Sequence, residues 1–409
     1  MKSMSKSVKF LLLTVSLALV LLTVAGGLGV HASNNNDGAY RQLGVYSEVL
    51  SRIRTEYVEE PDISHVTDGA LHGLLESLDA NSSYLNPEEY KEYKAHTSDA
   101  KGNVGAAVSK RFGYAAVIAV IPGGPADKAG LESGDILEAI ENKTTREMSL
   151  AEIESMLAGE AGSNVNVSVV RARRAEPQKI TITRDVVKIP AVSAKAMTDG
   201  IGYIKVDTFT KGKAQEIANK VKELQSSGAQ KLVLDLRDCA MGDEQEGIAA
   251  ANLFLNHGTI TYLQGQKYPR ETFNADQTKA IFNLPLVVLV NRGTAGAAEI
   301  VAASILENAR GDVLGDKTFG MGSVQKLIEI PDGSALMLSV AKYYSPSGKA
   351  IQDTAVTPNI RVADKDDDVA LPDEDENATQ DEEAAKKQKT PQQDEQLKRA
   401  VEVLKNRKA

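Results

Sequence analysis

An α/β architecture with a separate β-rich module is expected, and three patterns predict it. The first is a pair of nearly all-apolar, branched runs, "KLVLDLR" (231–237) and "LPLVVLVN" (284–291), interleaved with helix-period segments. Runs apolar on both faces belong to strands covered on both sides, as in a parallel sheet. The second is a stretch of period-2 segments between about 102 and 185, including "NVNVSVVRA" and "QKITITR". The third is an abrupt compositional change after Val362, where the apolar content needed to fold disappears.

The elements follow in order. Residues 1–32 carry Lys2, Lys6 and Lys9 ahead of an unbroken apolar run to about Val30. That is a secretory signal, with Val30 and Ala32 at the −3 and −1 positions of a cut before Ser33, or a retained single-pass anchor. Either places the bulk of the chain outside the cytoplasm, in the periplasm or cell envelope, with membrane contact through this segment if it is uncut. Residues 40–100 read as an all-helical accessory or dimerising segment, with Asn86 capping a helix that starts at Pro87. Within 102–185, "SLAEIESMLAG" is an amphipathic helix capped by Ser149 with Glu152 as capping-box partner. From 188 to 362 strands and helices alternate, ending in a hairpin turned at Asp332–Gly333. Residues 363–393 form a disordered acidic linker, and a short helix within 394–409 closes the chain.

Composition narrows the function. The 409 residues carry a formal net charge of −9, which excludes a dedicated nucleic-acid binder, since phosphate contacts need concentrated Lys and Arg. One cysteine, Cys239, precludes an intramolecular disulfide, and five scattered histidines show no zinc spacing. No cofactor or metal is expected. The acidic run from Asp366 to Glu383 lacks the spacing of a calcium loop and reads as a solvated tether.

The two apolar strands lead into glycine-containing loops, "LRDCAMGD" and "VNRGTAG", at the edge where open α/β sheets collect ligands. The second loop runs straight into a helix near Ala295, so its amides favour developing negative charge. This suits acyl transfer, yet "TAGAAEI" offers no hydroxyl or thiol at the turn.

The chain resembles the carboxyl-terminal processing peptidases of family S41, serine proteases with a Ser/Lys dyad. The resemblance is carried by "GALHGLLESLDANSSYLNPEEYKEY", "VIPGGPADKAGLESGDILEAIENK", "LVLDLR", "PLVVLVNRGTAGAAEIVAASILENAR", "GDKTFGMGSVQ", "DGSALMLSVAKYYSPSGKAIQ" and "VTPNI". It implies a ClpP/crotonase-like core at 188–362, into which part of 60–100 can enter, and a PDZ domain at 102–185. It puts the nucleophilic serine at Gly296 and the general-base lysine at Met321, with a retained supporting glutamine at Gln325. The proline-glycine-glycine run of the oxyanion region becomes Ala240, Met241 and Gly242. Thr294, Ser304 and Lys317 are the nearest other hydroxyls and amine, and none stands where a replacement is needed. In the PDZ domain the resemblance assigns Val104, Gly105 and Ala106 to the loop that holds a peptide carboxylate, with Lys110 and Arg111 adding attraction. The expectation is a pseudopeptidase that binds C-terminal or unstructured tails, pairs with an active relative or with itself as a homodimer, and does not cut. The alternative is an active serine-type endopeptidase with a non-standard site.

Overall fold

In a computed structural model, residues 37–99, 101–111, 113–146, 148–171, 176–363 and 394–407 are described. The expected leader at 1–32 and the expected acidic linker lie outside them. Among the described residues no helix is long and apolar enough to cross a membrane. The chain divides into a unit up to Ala70 and a unit from Leu71 onward. In the first, helix Asp37–Glu56 leaves Leu43, Val45 and Val49 exposed.

The second unit is organised by a six-stranded sheet. Its strands run in chain order across it: Ser193–Ala196, Ile201–Lys205, Lys231–Asp235, Leu286–Val290, Asp312–Gly315 and Ile360–Arg361. The first pair is antiparallel and every later pair parallel. The apolar runs are explained by what covers each face. Leu232, Leu234, Leu286, Val288 and Val290 join the main core with residues of helices Lys213–Ser226, Glu244–Asn252 and Ala297–Glu307. Val233, Val287 and Leu289 point the other way, onto helix Glu395–Asn406. Alternating residues thus serve two dry faces, so neither set can be polar.

A second sheet contains the hairpin Ser323–Glu329/Ala335–Tyr344, with strands Thr259–Gln264 and Glu271–Asn274. Its other member is Ser83–Leu85, which pairs antiparallel with Ala335–Met337. The all-helical reading of 40–100 is therefore corrected. "SYL" is a strand, and Leu85 and Tyr90 are buried with Ala335 in a small core. Three residues are too few for a period to register, and their partner lies some 250 positions away. The helix that follows is capped as expected: the amides of Glu88 and Glu89 donate to Asn86 Oδ1, both at 3.0 Å.

The β-rich module is a six-stranded antiparallel sheet with its own core of Val117, Leu137, Ile153, Val165, Val167 and Ile182. Helix Leu150–Leu157 carries the Ser149/Glu152 capping box, with reciprocal bonds of 3.2 and 2.7 Å. Strand Ala106–Arg111 is at the edge of this sheet and, among the described residues, pairs only with Tyr114–Val120.

Candidate active site

The strand Leu286–Val290 ends in a loop whose Asn291 ties it to the neighbouring strand's loop. The Asp238 amide donates to Asn291 Oδ1 at 2.9 Å, and Asn291 Nδ2 donates to Asp238 Oδ1 at the same distance. The two loops at the carboxyl ends of adjacent parallel strands are thereby held as one surface. The second loop turns into helix Ala297–Glu307 at Gly296, whose φ of 61° and ψ of −123° lie where a residue with a Cβ is strained. A sharp strand-to-helix turn of this kind is how acyl-transfer folds expose a nucleophile. A Cβ built on Gly296 would lie 3.5 Å from Met321 Cε, so the fold brings these two sequence-assigned positions close enough that a side chain at 296 would touch Met321.

What holds them together is Glu299, a fully buried carboxylate one turn into the helix. It accepts from the amides of Gly296 (3.1 Å), Gly320 (2.9 Å) and Met321 (2.8 Å), and from the Thr318 hydroxyl. Burial pushes its pKa up to about 7, against those four donors, which favour the ionised form. Sequence reasoning gave Glu299 no role. The available signal was an acid inside the otherwise apolar helix "AAEIVAASI".

The other candidates are placed as follows. Ala240 is buried and Met241 half-buried, and Met241–Gly242 forms a short parallel bridge with Thr208–Phe209. Gly242 has φ 137°, and a Cβ there would come within 2.5 Å of the Phe209 backbone, so only glycine fits. Gln325 donates to Ser323 Oγ (2.9 Å) and Ser339 Oγ (3.0 Å), and Ser339 donates to Asp79 Oδ1 (3.0 Å). The retained glutamine thus belongs to a polar cluster with the 79–82 segment. Thr294 is buried and gives its proton to the Leu236 carbonyl at 2.8 Å. Ser304, also buried, gives its proton to Val301 O, and Lys317 is exposed. Cys239 is buried, and desolvation pushes its thiol up to about 12, which removes it as a nucleophile at neutral pH.

The β-rich module reaches the same loops. Ile118 and Ala119 form a buried cluster with Ala240 and Ala295, against which Ala107, Phe319 and Met321 pack. In that module, Val104 is fully buried, its carbonyl accepts the Ala126 amide at 2.8 Å, and Gly105 takes φ 74°. The Gly105 amide donates to Asn103 Oδ1 at 2.9 Å, and its carbonyl accepts from Ile121. Ala106 begins the edge strand, and Lys110 Nζ reaches Met148 O at 2.6 Å and Glu76 at 2.8 Å.

Comparison with known proteins agrees with this layout. The Peptidase family S41 model matches residues 200–362, and a PDZ domain model matches 117–171. A carboxy-terminal-processing protease of Bartonella bacilliformis is 33% identical over 88% of this chain and 83% of its own. The carboxy-terminal processing protease CtpA of Bacillus subtilis is 30% identical over 82% and 71%. Among solved structures, a photosystem II D1 C-terminal processing protease superposes with a TM-score of 0.64 at 26% identity, over 78% of this chain and 92% of that one. Identity at this level over most of both chains, with the two domain matches in the same order, means that the protein belongs to the S41 family of carboxyl-terminal processing peptidases and carries a PDZ domain.

Proposed function

We propose that this chain binds C-terminal or unstructured polypeptide tails outside the cytoplasm without cutting them, as an inactive member of its family that regulates or scaffolds an active relative. The observation that carries the reading is the pair Gly296 and Met321, brought side by side at the helix turn. Glycine supplies no atom to attack a carbonyl, and a thioether accepts no proton at neutral pH. A Ser/Lys pair works because a desolvated amine takes the hydroxyl proton. Losing a nucleophile and its base together costs about 10⁶-fold in turnover. The hydroxyls of Thr294 and Ser304 are committed to backbone carbonyls.

Tail binding rests on the PDZ domain. Its edge strand Ala106–Arg111 lies beside helix Leu150–Leu157, and an added peptide strand would pair there with its carboxylate at Val104, Gly105 and Ala106, displacing the Asn103 side chain from the Gly105 amide. We also assign the core to the ClpP/crotonase-like class, for which the support is a parallel sheet carrying the site at the carboxyl ends of its strands. Extracytoplasmic placement rests on the basic and apolar stretch at 1–32.

An active serine-type endopeptidase is the second reading, and the names of the similar proteases favour it. Incubating the purified chain with a panel of unstructured C-terminal peptides separates the two, with Gly296→Ser plus Met321→Lys as comparison. Saturable binding with no new fragments is expected. Turnover that a covalent serine inhibitor abolishes would select the second reading, and neither binding nor cleavage would remove both.

A further inference from the structure

Thirty-one residues lie between Ala363, the last described residue of the core, and helix Glu395–Asn406, yet the helix is anchored by specific contacts. Ala400 and Leu404 are fully buried against Ile201, Val233, Val287, Leu289 and Leu314, all of which would otherwise form a bare apolar face. Polar contacts set the register at both ends. At the start, Arg237 grips the N-cap residue Asp394 with two bonds of 2.7 and 2.9 Å, and reaches Gln396 at 3.2 Å. At the end, Lys231 donates to Leu404 O at 2.8 Å, Lys405 pairs with Asp199 at 2.8 Å, and Arg407 with Asp312 at 2.5 Å. A planar guanidinium bound bidentately is a directional contact, which a lysine would not reproduce.

Arg237 is also the residue immediately before the loop 238–242 of the candidate site. Its other edge holds the fully buried Asp235, and its carbonyl accepts from Lys205 Nζ. Asp238, the next residue, is the one bonded both ways to Asn291 of the second loop. The helix N-cap is therefore three bonded steps from Asn291, five residues before the turn at Gly296.

We propose that this sheet face is a binding site for a short amphipathic helix with an acidic N-cap, filled here by residues 394–406 of the same chain, and that its occupancy is read by loop 238–242 through Arg237. Because the helix belongs to the same chain as the face it covers, it acts as a ligand held at high effective concentration. The helix would hold loop 238–242 in this way whether or not the site binds or cuts peptides.

Cys239 is a built-in reporter, being the only cysteine of the chain, buried, and inside the loop that is read. The full chain, with a specific protease site placed between 364 and 393 and then cut, is labelled with a thiol reagent over low urea concentrations. Asp394→Ala should speed labelling about tenfold or more, at a rate nearly independent of urea, the signature of local rather than global opening. Excess peptide 394–407 of native sequence should restore slow labelling to the cut Asp394→Ala chain, and the same peptide with Ala400→Arg should not. Labelling within about twofold of the native rate, acceleration that merely follows global stability with a steep urea dependence, or equal rescue by both peptides would overturn the proposal.

Discussion

At Glu299 a charge removed from water is met by four donors from two separate segments. Replacing it with glutamine leaves the shape but turns one oxygen into an NH₂ group facing N–H donors. Glu299→Gln should therefore destabilise the fold by about 2–4 kcal/mol, as two buried donors lose their acceptor. The pH dependence has a definite sign. Burial raises the pKa from 4.5 to about 7, so over that interval the folded chain keeps a proton that the unfolded chain releases. This group's contribution is complete below 4.5 and is lost as pH rises through about 7. Urea midpoints of native and Glu299→Gln chains at pH 5 and pH 8 test it, since the variant should lack this part of the pH difference. Equal pH responses would count against the assignment. At Gly296 the backbone is the constraint. Gly296→Ala should cost about 1–3 kcal/mol through its positive φ, and shortening Met321 to alanine should not recover it, because a Cβ meets the methionine at an ordinary contact distance. Recovery in the Gly296→Ala/Met321→Ala double variant would move the cost from strain to crowding.

The C-terminal helix shows how far one element can be predicted. Its helical period was legible in "LKRAVEVLKN", but its destination was not, because the receiving face is composed of alternate residues of strands that already read as interior. Leu404→Ala should cost about 2–4 kcal/mol as a truncation in a filled site. Asp394 adds an acid dependence. Burial alone would raise its pKa, but Arg237 and the Leu397 amide outweigh burial and hold it below its usual value of 3.8. Its contribution is thus present above pH 3.8 and lost as pH falls through the lower folded value. Asp394→Asn should be less stable than the native chain at pH 7 and converge with it near the acid end of the curve. A constant gap at every pH would exclude the carboxylate as the cause. The same distinction explains the rest of what could be read. The two interior strands, the N-cap at Asn86, the capping box at Ser149, and the hairpin at Asp332–Gly333 are local patterns with local causes. Ser83–Leu85 and Asp312–Gly315 are short strands whose only evidence is a distant partner. Within the site, the residue types at 296 and 321 could be read directly, whereas Glu299's four donors and the Asp238–Asn291 pair exist only after folding.

At the scale of the whole second unit, the PDZ sheet meets the peptidase core through a local irregularity. The pairing of Ala106–Arg111 with Tyr114–Val120 slips between Ala107–Ala119 and Val108–Val117, leaving Ile118 as the extra residue of a bulge. Val117 still points into the PDZ core, while Ile118 and Ala119 both join the cluster with Ala240 and Ala295. A regular strand would send only one of two neighbours outward, so the bulge is what presents a paired apolar contact to the site loops. Those loops are themselves apolar at the contact, with Met321 and Phe319 packed against it. A lysine at 321 would have to leave its charge in or beside this cluster, at a desolvation cost that methionine does not incur. Ile118→Asp puts that cost back from the PDZ side, burying a carboxylate beside alanines and a methionine with none of the donors that Glu299 enjoys. The two domains should then separate while each keeps its own core. Calorimetry should resolve two transitions in place of one, and small-angle scattering should report a larger radius of gyration. Substituting Val117→Ala, which faces the other way, should lower the stability of the PDZ domain and leave the radius unchanged. If Ile118→Asp keeps a single transition and the native radius, the cluster is not what joins the domains, and the bulge has some other purpose.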